Sequence, residues 1–317
     1  MPAKIGLLSA LRTLTLIGCG QLGSLPVEIG QLTALETLEL SYCNGLDSLP
    51  AEVRHLTALQ TLDLNDCTDL ASLPAEARQL TALQRLTLTS CHQLAPLPAE
   101  IGLTALQTLT LTNENGQGLT QLGSSPVKIG QLAGLQTLRF IHCNQLASLP
   151  TEIGQLTGLQ TLVLCFCYRL ASLPAEIGQL TALQTLDLHN CEQLGSLPAE
   201  IRQLTGLLTL KLSECGQLGS LPVEIGQLAA LQTLHVNNCY GLESLPAELG
   251  QLTTLKKLKL GGCKQLQSLS TEVAAHRAPD AGCLRLCPAC VVAGRDRTAR
   301  RPPEAEHWQH PAHQPAD

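Results

Sequence analysis

Leu173-Pro-Ala-Glu-Ile-Gly-Gln-Leu-Thr-Ala-Leu-Gln-Thr-Leu-Asp-Leu-His-Asn-Cys-Glu-Gln-Leu-Gly-Ser196 is the unit from which most of the chain is made. Its cysteine recurs at Cys19, Cys43, Cys67 and Cys91, then at Cys143, Cys167, Cys191, Cys215, Cys239 and Cys263, a spacing of 24 residues with one interruption. A period of this length marks a solenoid of stacked supersecondary units. The Leu-x-x-Leu-x-Leu core occurs in eleven copies, from Leu11 to Leu260.

A single copy cannot fold alone. It offers eight apolar groups, Leu173, Ile177, Leu180, Leu183, Leu186, Leu188, Cys191 and Leu194, each contributing roughly 1.5 to 3 kcal/mol if fully buried. Ordering the backbone of such a copy costs about 1 to 2 kcal/mol per residue. Stacking buries each copy's inner face against two neighbours, so stability becomes a sum of unit and interface terms.

Within the unit, Thr185, Leu186, Asp187 and Leu188 alternate polar and apolar, as a short strand with one buried face does. Parallel strands from successive copies then form one sheet. Pro174 suits the first position of a helical turn, and Glu176 places a carboxylate where the dipole favours it. Gly178 and the short span to Leu183 limit this outer element to a brief helix or 3₁₀ turn. The expected architecture is therefore an α/β solenoid, a curved rod of about eleven repeats over residues 1 to 273 with the parallel sheet on its concave face.

Net charge is −6 and only 15% of residues are charged, so no broad basic surface points to nucleic acid or anionic lipid. No apolar run is long enough to span a bilayer, and Met1-Pro2-Ala3-Lys4-Ile5-Gly6 lacks a signal-peptide layout. Of fourteen cysteines, ten form the repeat column. Neighbours in that column point the same inward way from parallel strands, a poor geometry for disulfides. Buried thiols and the absence of any Asn-x-Ser/Thr sequon predict a reducing, cytoplasmic location.

The chain begins inside a repeat, since Met1 to Leu11 align with Leu-Pro-Ala-Glu-Ile-Gly-Gln-Leu-Thr-Ala-Leu. The expectation is a fragment, a truncated gene product or a recently duplicated array. The second and third copies bring Glu36, Glu39, Asp47, Asp63, Asp66 and Asp69, and the eleventh brings Lys256, Lys257, Lys259 and Lys264, so the inner surface should run from acidic to basic. The fifth copy carries extra residues between Asn113 and Ser125. Strict alignment puts Glu114 in the buried cysteine column, and a small shift placing Asn113 or Asn115 there is expected instead, because an unpaired buried carboxylate is costly.

Copies six to eight are the least monotonous. Exposed strand positions there are expected to carry Arg139, Ile141, His142, Val163, Cys165, Phe166 and His189, with Tyr168 and Arg169 just beyond. In a chain with 2% aromatics, an apolar and aromatic patch flanked by arginine reads as a binding hot spot. Drift among redundant copies would place the same residues there, and both readings stand. From Ala274 to Asp317 the periodicity stops, and this Ala/Pro/Arg/His-rich stretch reads as a disordered tail. Cys283, Cys287, Cys290, His307, His310 and His313 lie in it at spacings unlike a standard zinc knuckle. No phosphate loop, nucleophile elbow or His-Glu-x-x-His pair occurs, so neither an enzyme nor a cofactor is expected.

The motif running from Leu156 to Leu180, with its Leu-x-x-Leu-x-Leu-x-x-Cys and Leu-Pro-x-x-Ile-Gly parts, resembles the leucine-rich repeats of plant intracellular disease-resistance receptors. It is similar, in the Leu-Pro-x-x-Ile-Gly part, to Ras-binding scaffold leucine-rich proteins, which usually carry asparagine and one residue fewer. The resemblance implies a leucine-rich repeat solenoid (curved horseshoe) binding a protein or peptide on its concave sheet, in defence or Ras-type signal transduction. The alternative is a structural or nonfunctional duplicated array with no specific ligand. Oligomeric state is open.

Overall fold

A computed structural model describes residues 3–94, 103–113 and 129–266. Eleven strands form one parallel sheet in sequence order. They are β1 (Thr13–Ile17), β2 (Thr37–Ser41), β3 (Thr61–Asn65), β4 (Arg85–Thr89), β5 (Thr108–Thr112), β6 (Thr137–Ile141), β7 (Thr161–Cys165), β8 (Thr185–Asp187), β9 (Thr209–Lys211), β10 (Thr233–His235) and β11 (Lys257–Lys259). Each pairs with the next in the register set by the repeat, Leu162 opposite Leu186 and Leu186 opposite Leu210. The apolar residues that alternate along the strands therefore fall into columns, with Phe140 and Val236 standing where other copies have leucine. Leu186, Leu188 and Cys191 are fully buried in a single continuous core.

Among the described residues the return segments are all 3₁₀ turns, so in each described copy the turn is tighter than an α-helix. Pro174 has φ −69° and ψ 154° and leads into Ala175–Gln179. The Ile177 amide donates to the Pro174 carbonyl at 3.0 Å, and Leu183 donates to Leu180 at 2.9 Å. The glycine after the isoleucine matters for packing between copies: a Cβ on Gly178 would sit 2.7 Å from the Glu200 carbonyl oxygen of the next turn, and one on Gly226 would sit 2.5 Å from that of Glu248. At Gly178 and Gly226 a side chain would force the facing turn to move, whereas Arg54, Arg78 and Arg202 fill the equivalent position in other copies.

The cysteine column ties each copy to the one before it. Cys67, Cys91, Cys191 and Cys239 donate to the carbonyls of Leu40, Leu64, Leu164 and Leu212 at 3.6, 3.6, 2.9 and 2.9 Å. All described cysteines are free thiols.

In the fifth copy the strict register persists through residue 113. The Asn113 amide donates to the Ile141 carbonyl at 3.0 Å, matching Ser90 to Thr112 and His142 to Cys165. Asn113 is buried one place before the cysteine column and does not shift into it; the backbone ladder holds it in step with its neighbours. The column position, the rest of the insertion, the boundary at 273 and the tail with its Cys and His residues lie outside the described residues.

Candidate functional site

Parallel pairing at constant register turns every outward strand position into a row across the sheet. The row between the two strand leucines reads Glu39, Asp63, Thr87, Thr110, Arg139, Val163, Asp187, Lys211, His235 and Lys259 from β2 to β11. The acidic pair Glu39 and Asp63 and the basic group Lys211, His235 and Lys259 thus stand toward opposite ends of one row, whose successive members lie on strands roughly 4.8 Å apart. Glu39 lies opposite Asp63 and accepts from Thr15 at 3.1 Å. Asp47 and Asp69 fall beyond the cysteine column in the outgoing loop, off this row.

A second row sits one step past the strands. Tyr42, Asp66, Ser90, His142, Phe166, Asn190, Glu214 and Asn238 have φ between 51° and 64°, and Gly18 and Gly262 continue the row. This is the left-handed region, which side chains other than Gly, Asn and Asp occupy at a cost. It is stabilised by a ladder of amides donating to the next copy, as in Phe166 to His189 at 2.9 Å and Asn190 to Ser213 at 2.8 Å.

This second row corrects the expected placement of three residues. His142, Phe166 and His189 are not strand positions: β6 ends at Ile141, β7 at Cys165 and β8 at Asp187. The backbone reverses hand at His142 and Phe166, and so swings their rings to the edge of the sheet. There the His142 and Phe166 rings stack with centroids 4.4 Å apart and planes 14° apart, and His189 meets Phe166 edge-on at 5.2 Å. Offset and edge-to-face arrangements are the favoured ones for aromatic pairs.

Val163 is a second correction. It lies on the concave row yet is only 8% exposed. Its short branched side chain stands between Arg139 and Asp187 on the flanking strands. Arg139 is exposed and Ile141 half-buried beside it. Tyr168 and Arg169 lie past the cysteine column in the outgoing loop, where Arg169 donates to Gln145 at 2.8 Å. The structure therefore brings together His142, Phe166 and His189, places Arg139 and Ile141 on the adjoining strand, and sets Arg169 apart in its own contact.

Asp187, absent from the residues expected to form the patch, joins the site from the concave row between Val163 and Lys211. It is 8% exposed and is held by the Lys211 ammonium at 2.7 Å and the His189 amide at 3.2 Å. Burial, and then the neighbouring Asp187, push the Cys165 thiol up to about 12, so it is no nucleophile at neutral pH. Further along the same edge, a groove is lined by Asn190, Glu192, Glu214, Gly216, Gln217, Asn238 and Tyr240. The signal for this edge was present in the sequence: the position directly before the cysteine is Gly18, Asp66, Asn190 or Asn238 in several copies, the residue types that tolerate positive φ.

No metal-binding cluster of His, Cys, Asp and Glu occurs among the described residues. No described helix is long and apolar enough to cross a membrane.

A family profile described as a leucine-rich repeat region matches residues 5–124 and 162–261. Among solved structures, the chain is similar to a leucine-rich repeat protein of Leptospira interrogans, with 29% identity over 85% of this chain and 86% of that one and a TM-score of 0.53. It is also similar to a chain in the Toll–Spatzle complex of Drosophila, with 21% identity and a TM-score of 0.60; that match covers 75% of this chain but 31% of that one. No curated protein matches in sequence.

Proposed function

The chain belongs to the leucine-rich repeat family, a fold typical of protein–protein interaction, and from that premise we propose that it is a non-enzymatic scaffold binding a protein or peptide ligand on its concave sheet. The observation that carries this is Phe166. One of two phenylalanines in the chain, it is kept outside the core at φ 57°, an unfavourable conformation for an aromatic residue. The positive φ belongs to the repeat, since it recurs from Tyr42 to Asn238; what sets Phe166 apart is an apolar aromatic ring kept at a position that several other copies fill with Asn, Asp or Gly. His142 and His189 hold the ring in place, so little side-chain freedom remains to be lost on binding.

The proposed contact surface comprises Arg139, Ile141, His142, Val163, Phe166, Tyr168, Arg169 and His189, with Val163 as support beneath the others. The free thiols of the cysteine column favour a reducing, cytoplasmic setting. A place in defence or Ras-type signal transduction rests on the repeat consensus alone. The test is affinity capture from the native cell with the wild-type chain and with Phe166→Ala and Arg139→Ala. A partner retained by the wild type and lost by either variant supports the reading, and partners captured equally by all three refute it.

A further inference from the structure

The concave row ends on an unbalanced cluster of positive charge. Lys211, His235 and Lys259 are neighbours on β9, β10 and β11, and Lys257 stands two residues before Lys259 on the same face of β11. The carboxylate of Asp187 is occupied by Lys211. Lys257 and Lys259 have no carboxylate partner among the described residues. Between the lysines, the Nε2 atom of His235 is shut off from solvent and has no hydrogen-bond partner. Buried polar nitrogens are ordinarily paired, so the cluster of like charge holds an imidazole whose hydrogen bonding is incomplete.

We propose that Lys211, His235, Lys257 and Lys259 form a carboxylate-binding seat for an acidic segment of the protein ligand, an inference that rests on the concave-face reading above. Lysine ammonium groups and a protonated imidazole are all donors, and together they suit a carboxylate that only accepts. Burial comes first among the causes that hold the His235 imidazole below its ordinary value of 6.5, followed by the charges of Lys259, Lys257 and Lys211, with Asp187 opposing them. A bound carboxylate reverses that balance, so binding draws a proton onto His235.

The seat also has a defined distance from the aromatic cluster. Three strand spacings separate β7 from β10, roughly 14 Å, which an extended peptide covers in about four residues. The ligand is therefore an acidic run placed about four residues from an apolar side chain that meets Phe166. A duplex nucleic acid fits less well, because Glu214 and Glu192 line the adjoining edge and would face its phosphates. A flat bilayer would meet the rims of a solenoid before its concave row.

The probes are two fluorescent peptides on the full chain, each with one phenylalanine followed about four residues later by either four glutamates or four lysines. Anisotropy is read at low and high salt and across pH. The glutamate peptide is expected to bind at least tenfold more tightly, to lose affinity in high salt, and to tighten as pH falls from about 7.5 to about 5.5. Lys257→Gln combined with Lys259→Gln should weaken it about tenfold, and His235→Gln should flatten its pH dependence. Equal binding of the two peptides, indifference to these substitutions, or equal competition by duplex DNA or phosphatidylserine vesicles would overturn the seat. If the glutamate peptide fails while Phe166→Ala still abolishes partner capture, the seat falls and the concave-face reading stands. If the peptide binds as predicted but Phe166→Ala changes neither binding nor capture, the seat stands and the aromatic reading falls.

Discussion

The thiol of Cys191 donates to the carbonyl of Leu164, 27 residues earlier, at 2.9 Å. That bond joins one copy to the copy before it inside the core, and the same contact recurs along the column. Cys19, at the first copy, has only the nearby Ile17 carbonyl at 3.8 Å and is half-buried. Cys191→Ala should therefore lower stability by about 1 to 2 kcal/mol through the lost bond and packing, read as a drop in the urea midpoint. Cys19→Ala should change it by less than about 0.5 kcal/mol.

The same column sets an alkaline limit. Burial pushes Cys67 up to about 11 and Cys91 and Cys215 up to about 12 from an ordinary 9.0. Between pH 9 and these values, the folded chain keeps protons that the unfolded chain has released. Stability is then fully present below about pH 9 and falls as pH rises through the window to about 12. Urea midpoints measured from neutral pH upward should decline over that range, and Cys91→Ala with Cys215→Ala should shallow the decline relative to the starting midpoint.

Phe166 offers a direct test of conformational cost. At φ 57°, asparagine or glycine is better suited than phenylalanine. Asn190 and Asn238 already occupy this row. Phe166→Asn should leave the urea midpoint unchanged or raise it by up to about 1 kcal/mol equivalent, while partner capture is lost. A midpoint that falls by more than the aromatic contacts account for, about 1 kcal/mol, would mean the ring is there for stability.

Asp187 and Lys211 contrast with Arg12 and Glu36, which also pair across one repeat but lie exposed. Lys211→Met should cost about 1 to 3 kcal/mol, because it strands a carboxylate that is nearly buried. Arg12→Met should cost less than about 1 kcal/mol. Replacing Asp187 and Lys211 together by threonine, the residue at this position in β4 and β5, should recover most of the loss in thermal or urea unfolding.

The columns of the core were legible because each position is read about ten times: Leu186 and Leu188 could only lie inside once their equivalents in every copy were also apolar, and Cys191 recurs as cysteine in all copies but the fifth. The sheet, its order and its register follow from that period. The edge of the sheet was harder to read. Alternation at His142 and Phe166 looks like a strand running on, and only the change of hand at those residues takes them off it. Val163 and Asp187 sit at positions that alternation marks as exposed, yet both are buried between longer-armed neighbours in the row, Arg139 on one side and Lys211, which pairs with Asp187, on the other. Such cross-strand effects depend on which side chain stands opposite, which a single repeat does not contain.

The most direct test of the concave-face account is calorimetric titration of a captured partner into the wild-type chain and into Phe166→Ala, with unfolding curves confirming that both are folded. A loss of affinity of tenfold or more in the variant, at unchanged stability, is the predicted result. Equal affinities for the two chains would contradict it.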